Sequence, residues 1–328
     1  MKTSSYIYYR LPVKAEIYRK AIKGFSRINW ADLDLSKHKG FIMSSFSIDK
    51  NIILFSVGSK EPVLGKSIQH KIFPKEHNFH SFKEKYKTNV EEAVTAIKTT
   101  NLEKVVLAQN FTLTHKVDCL DLFYRMCSLY PHGFIYYLAI EDIEWIGASP
   151  EMLCRYANGI GETVALAGTQ DKKGKDWGSK EKEEQGFIQS YIEEEFSKID
   201  DFEFKKGNTR TIRAGDIEHI SSLYNFKTNL NGLNALVKQL HPTPAVCGYP
   251  KKEAQELIAT KESFDREYYS GFLGLNEEEE TNLFVNLRCA KIKGKEITLF
   301  AGAGITKDSI PEKEWEEVLK KIATILNV

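Results

Sequence analysis

Residues 301–321 read AGAGITKDSIPEKEWEEVLKK, and how this stretch is read decides the fold. The run EITLFAGAG (296–304) that leads into it is strand-like, and residues 311–326 have helical periodicity. Gly302-Ala303-Gly304 predicts a turn between them. A strand therefore feeds a helix whose first turns are rich in glutamate and whose later turns carry lysine. Acids near a helix N-terminus complement its exposed N–H groups and the positive end of its dipole, so alone they assign no chemistry.

Working outward, strand-like runs occupy 104–115, 133–140, 154–159, 163–168, 209–226 and 283–292. Helical periodicity appears at 87–99, 120–129, 180–198, 231–240 and 251–260. Strands follow strands, with helices interspersed but no regular βαβ alternation, which predicts an α+β fold with large antiparallel sheets. No repeat or Pro/Gly/Ser linker divides residues 1–328, so a single domain is expected, with residues 1–80 as a degenerate partner half.

At 328 residues with 42% hydrophobic content, the chain can bury a substantial core. Its 46 basic and 45 acidic residues nearly cancel, which argues against nucleic acid or an anionic membrane as partner. MKTSSYIYYRLPVKAEIYRK at the N-terminus lacks the apolar core of a signal peptide, and no run is long enough to span a membrane. Five widely spaced cysteines without a CxxC pair read as reduced thiols. A cytoplasmic, monomeric protein is the expectation.

Two pairs of glutamates stand out. On the helix from Lys180, Glu181 and Glu184 fall within the stripe of Phe187, Ile188, Tyr191, Ile192 and Phe196. On the C-terminal helix, Glu314 and Glu317 share a flank of the face formed by Trp315, Val318, Leu319, Ile322 and Leu326. Carboxylates in this arrangement suit a divalent ion with oxygen ligands, Mg²⁺ best. A solvated helix face is the alternative, and a first-turn helix-start role suffices for Glu181.

Lys104 opens the apolar strand KVVLAQ, where lost solvation suits it to act as a base, or where its stem snorkels along a sheet edge. Glu151 follows the tight IGASP turn, as a surface residue or as an acid aimed into a cleft. In FVNLRCA, alternation puts Asn286 and Arg288 opposite Val285, Leu287 and Cys289. Arg288 is then either a carboxylate-binding fork beside the glycine turn or half of a structural salt bridge.

Nine ordered segments resemble the chorismate-utilising enzymes: LEKVVLAQ (102–109), WIGASPEML (145–153), VALAGTQ (164–170), KEEQGFIQSYI (182–192), IEHISSLY (217–224), LHPTPAVCGYPKKEA (240–254), FDREYYSGFLG (264–274), FVNLRCA (284–290) and FAGAGITKDSIPEKEWEE (300–317). The resemblance covers 100–325 as the family core and leaves 1–80 as a shortened, weakly matching part. It implies a large antiparallel-sheet sandwich of the anthranilate synthase-like type, helices outside, with the site in a cleft.

By the same resemblance, Glu184 and Glu317 are direct Mg²⁺ ligands, supported through water by Glu181 and Glu314, and the ion holds the ring carboxylate of chorismate. Arg288, Tyr269, Gly302 and Lys321 match positions that grip the enolpyruvyl carboxylate. Gly168, Thr169 and His219 match substrate-site positions, although His219 also reads as a satisfied core histidine. Lys104 is kept by members that add water and absent from those that use an amine. It implies activation of water for attack at ring C2, with Glu151 protonating the departing C4 hydroxyl, in menaquinone or siderophore biosynthesis. No amidotransferase subunit is then expected. The resemblance equally admits a salicylate-forming enzyme, which also eliminates pyruvate, while a non-catalytic chorismate-binding protein fits less well. Gln185, Gln109 and Gln170 depart from the family pattern.

Overall fold

The computed structural model describes residues 5–68, 72–73, 79–171, 176–214 and 217–328. The chain begins with β1 (Tyr6–Arg10), β2 (Ile17–Ile28), β3 (Gly40–Met43), β4 (Ile52–Val57) and β5 (Glu61–Val63), then α1 (His80–Thr99). Next come β6 (Lys104–Thr114), α2 (Cys119–Leu129), β7 (Phe134–Ile140), β8 (Ile143–Ser149), β9 (Met152–Ala157), β10 (Ile160–Asp171) and α3 (Ser179–Ser197). A hairpin, β11 (Glu203–Ala214) and β12 (Ile217–Lys227), leads to α4 (Leu230–Leu240), β13 (Gly248–Tyr249) and α5 (Lys251–Lys261). The chain closes with β14 (Phe272–Asn276), β15 (Glu280–Val285), β16 (Cys289–Lys293), β17 (Glu296–Ile305) and α6 (Pro311–Leu326).

Every strand pairing is antiparallel, and the pairings trace two sheets joined through β2. The first runs β5-β2-β1-β7-β8-β16-β17-β6-β13. The second runs β11-β12-β10-β9-β15-β14-β3-β4-β2. The N-terminal strands thus belong to both sheets.

Period-2 alternation explains the layering. On β7, Phe134, Tyr136 and Leu138 enter the core between the sheets with Phe41, Met43, Leu273 and Phe284, while Ile135 faces the helices. Phe134 and Phe284 stack with ring centroids 4.3 Å apart, a contact worth about 0.5–1.5 kcal/mol beyond its buried area. Outside the first sheet, α1, α2, α5 and α6 bury Tyr86, Phe123, Ile258 and Trp315. Outside the second, α3 and α4 bury Tyr191, Phe196, Leu233 and Leu236. The result is the sheet sandwich with helices outside that the sequence predicts. Helix starts follow local chemistry: Asp118 caps α2, Asn229 caps α4, and Pro311 opens α6.

Three expectations change. The single strand over 209–226 is two strands, β11 and β12. The strand over 283–292 breaks between Val285 and Cys289, where Arg288 takes a left-handed φ of 49°. Gly302-Ala303-Gly304 is not a turn but the paired end of β17, with Gly302 opposite Ala108.

Candidate functional site

A cleft lined by strands of both sheets holds about 690 Å³ of empty space, the solvent at its mouth included. Glu151, Gly168, Glu184, His219, Tyr269, Arg288, Gly302, Glu317 and Lys321 all line it. Lys104 lies behind the wall formed by Glu184. Glu181 and Glu314 are not among the lining residues, and the side chain of Thr169 lies outside the described residues.

Gly302 presents its backbone to this cleft for a reason of register. Pairing of β17 with β16 stops at Leu299, so the following residues are bonded only to β6. Opposite Gly302, the Ala108 N–H donates to Glu262 rather than to β17. Gly302 and Ala108 are therefore a non-hydrogen-bonded pair, and the Gly302 N–H and C=O both point to the open edge. Its carbonyl accepts from Lys321 Nζ at 2.7 Å, and the same ammonium lies 2.8 Å from Glu317 Oε1 one turn back on α6. At Gly304 a Cβ would stand 2.8 Å from Glu184 Oε1 and 3.0 Å from Lys104 Cε, so only glycine admits those side chains.

Lys104, fully buried at the start of β6, brings Nζ to 2.6 Å from Glu184 Oε1. The contact is an ion pair without good hydrogen-bond alignment, and among the described residues Nζ has no other acceptor. Glu184 Oε2 accepts from the Gly168 N–H at 3.2 Å. Gly168 interrupts β10 with a bulge at φ 63°, a conformation that favours glycine, and its carbonyl meets His219 Nδ1 at 2.7 Å. One backbone unit thus aims both Glu184 and His219.

A carbonyl only accepts, so His219 Nδ1 carries the hydrogen and Nε2 is left as a bare, buried acceptor. Burial, then the Arg288 charge, lowers the His219 pKa to about 4. A neutral ring offering a lone pair suits a hydroxyl or water donor and not a carboxylate. Glu151, 4% exposed, has its pKa raised to about 7, because burial outweighs the opposing Lys104 charge and a long hydrogen bond from Thr243 Oγ1 at 3.4 Å. It keeps its proton to near neutrality.

Tyr269 stacks on Phe300 at 5.4 Å and 13°, which fixes its ring in the wall. Arg288 leaves the sheet at the β15–β16 break, so its side chain is not the alternating strand position that the sequence suggests. Its Nη1 donates to Thr324 Oγ1 at 2.6 Å, and among the described residues no carboxylate forms an ion pair with it. Thr324 and Thr243 have no part in the sequence reading, because a threonine in an apolar helix or a Pro-rich loop carries no signal of its own.

As for a metal, Glu184 and Glu317 supply two carboxylates to one cleft, a donor set that fits a hard divalent ion completing its shell with water and substrate oxygens. The four glutamates do not gather as one cluster. Among the described residues no group of three or more His, Cys, Asp or Glu is arranged to hold an ion. The Glu181 carboxylate lies close to Gly178 at the start of α3 while its stem packs against Gly168, and Glu314 is buried. Gln185 ties α3 to Ala165 and Ser222.

A profile of the chorismate binding enzymes matches residues 65–328. The chain is 29% identical over 256 residues to isochorismate synthase EntC of Escherichia coli, an alignment covering 73% of this chain and 65% of that protein. It is 28% identical over 264 residues to anthranilate synthase component 1 of Aquifex aeolicus, covering 74% of this chain and 52% of that one. Among solved structures, the menaquinone-specific isochorismate synthase MenF of Escherichia coli superposes with TM-score 0.81 at 22% identity, over 99% of this chain and 89% of that one. The chain thus spans about two thirds or less of the length of these curated relatives, and all of the cleft except its most N-terminal supports lies inside the matched residues. With that match and the shared fold, the chain belongs to the chorismate binding enzyme family.

Proposed function

We propose that the protein converts chorismate to isochorismate, adding water at ring C2 with loss of the C4 hydroxyl. Similarity alone does not choose this branch, since an anthranilate synthase component matches about as well as an isochorismate synthase. The observation that carries the reading is that one site holds both a buried lysine, Lys104, ion-paired with Glu184, and a buried acid, Glu151. Lys104 is buried behind the cleft and its charge is felt at Glu151, which retains its proton to about pH 7. In this reading Lys104 acts as the neutral amine, after losing its own proton, and takes one from water as the water oxygen bonds to C2. The ring double bonds shift, and the C4–O bond breaks as Glu151 delivers its proton to the leaving hydroxyl.

Arg288, Lys321 and the Gly302 N–H hold the enolpyruvyl carboxylate, and His219 Nε2 accepts from a substrate hydroxyl or a water. Glu184 and Glu317 would hold Mg²⁺, which supplies positive charge for the ring carboxylate. Because water is the nucleophile, no amidotransferase subunit is expected. No helix of the described residues is long and apolar enough to cross a membrane.

The test is incubation with chorismate and Mg²⁺, with products separated by chromatography. Isochorismate is the expected product. Salicylate with pyruvate, or no turnover, would overturn the reading, and turnover that survives thorough EDTA treatment would remove the metal.

A further inference from the structure

The bond from Arg288 to Thr324 carries more than packing. Arg288 is 8% exposed, adopts a left-handed backbone that non-glycine residues rarely hold, and among the described residues forms no ion pair. Among the described residues, its one hydrogen bond to a side chain goes to Thr324 Oγ1. Thr324 lies three residues after Lys321 and seven after Glu317, so α6 turns all three to the cleft side. The helix end is itself pinned. The Thr324 carbonyl is among the last four of α6, which lack intrahelical partners, and it accepts from Tyr130 OH at 2.6 Å. Tyr130 in turn ends α2, and the Arg10 guanidinium of β1 grips the carbonyls of Cys127, Tyr130 and Gly133.

We propose that Thr324 is a positioning residue that sets which edge of the Arg288 guanidinium meets substrate. The inference rests on the chorismate reading above. A guanidinium has two edges that can take a carboxylate bidentately, Nη1/Nη2 and Nε/Nη2. Thr324 takes one of the two N–H groups of Nη1, so the Nε/Nη2 edge is the one that keeps every donor for the enolpyruvyl carboxylate. The threonine β-branch stiffens χ1 in a helix, and the bond from Tyr130 holds the turn that carries it. The pin is thus built from α6, α2 and β1 together, and gives the N-terminal strand a link to the site.

The test is a double-mutant cycle on Thr324 and Arg288, read by chorismate KM, kcat and melting temperature. Thr324→Val keeps the shape and removes the hydroxyl. It is expected to raise KM about tenfold with a much smaller change in kcat, while Thr324→Ser restores most of the loss. In an Arg288→Ala background, Thr324→Val should add little to KM, because the group it positions is gone. A Thr324→Val enzyme with unchanged KM, or equal KM penalties in both backgrounds, overturns the assignment. If Thr324→Val does not fold, failure of Thr324→Ser to preserve KM while melting normally does the same. Wild-type turnover in the same assay reports on the function separately: an inactive wild type sinks that reading, whereas an active wild type with an uncoupled cycle sinks only this one.

Discussion

Replacing Glu151 by glutamine should change how stability depends on pH. The folded carboxyl has its pKa raised from 4.5 to about 7, chiefly by burial. A group whose folded pKa is raised contributes stability that is fully present below the unfolded pKa and is lost as pH rises through the folded one. Between about pH 5 and about pH 8 that loss integrates to about 2–3 kcal/mol. Glutamine keeps the shape and never ionises, so the loss disappears in Glu151→Gln. Urea denaturation followed by tryptophan fluorescence, run on both proteins at the two pH values, isolates the effect, because every other titrating group cancels in the difference. The two proteins should lie within about 1 kcal/mol of each other at the lower pH, and the variant should gain about 2–3 kcal/mol on the wild type at the higher. Parallel stabilities at both would show that Glu151 is not held protonated, and the assignment of Glu151 as the acid would fall with it. The same shift predicts that wild-type kcat/KM declines above about pH 7, as the acid form is lost.

Lys104→Ala should lose at least about a hundredfold in kcat, the usual scale of a general base, while chorismate binding by calorimetry persists because the carboxylate grips lie elsewhere. Near-normal turnover would leave Lys104 a buried structural lysine. Gly304→Ala places a methyl 2.8 Å from Glu184 Oε1 and 3.0 Å from Lys104 Cε, so activity should fall well before stability does. Full activity would mean that the Lys104–Glu184 contact is dispensable.

Much of this protein was legible before any coordinates. The α6 boundary, the strand beginning at Lys104, and the glutamates of α3 follow from periodicity, because an amphipathic helix declares its buried face in its own spacing. The ordered motifs carried the family. Periodicity failed where the chain departs from it. No alternation rule anticipates the left-handed backbone of Arg288 between β15 and β16, or the pairing that keeps Gly302-Ala303-Gly304 within β17. Only the tertiary structure decided that Gly302 offers its backbone to the cleft, since that depends on where β16 stops and on how β6 is satisfied by Glu262. It likewise separated Glu184 and Glu317, which line the cleft, from Glu181 and Glu314, which do not. The protonation of Glu151, the tautomer of His219 and the bond from Arg288 to Thr324 depend on burial and on partners distant in sequence. A local reading of sequence contains neither.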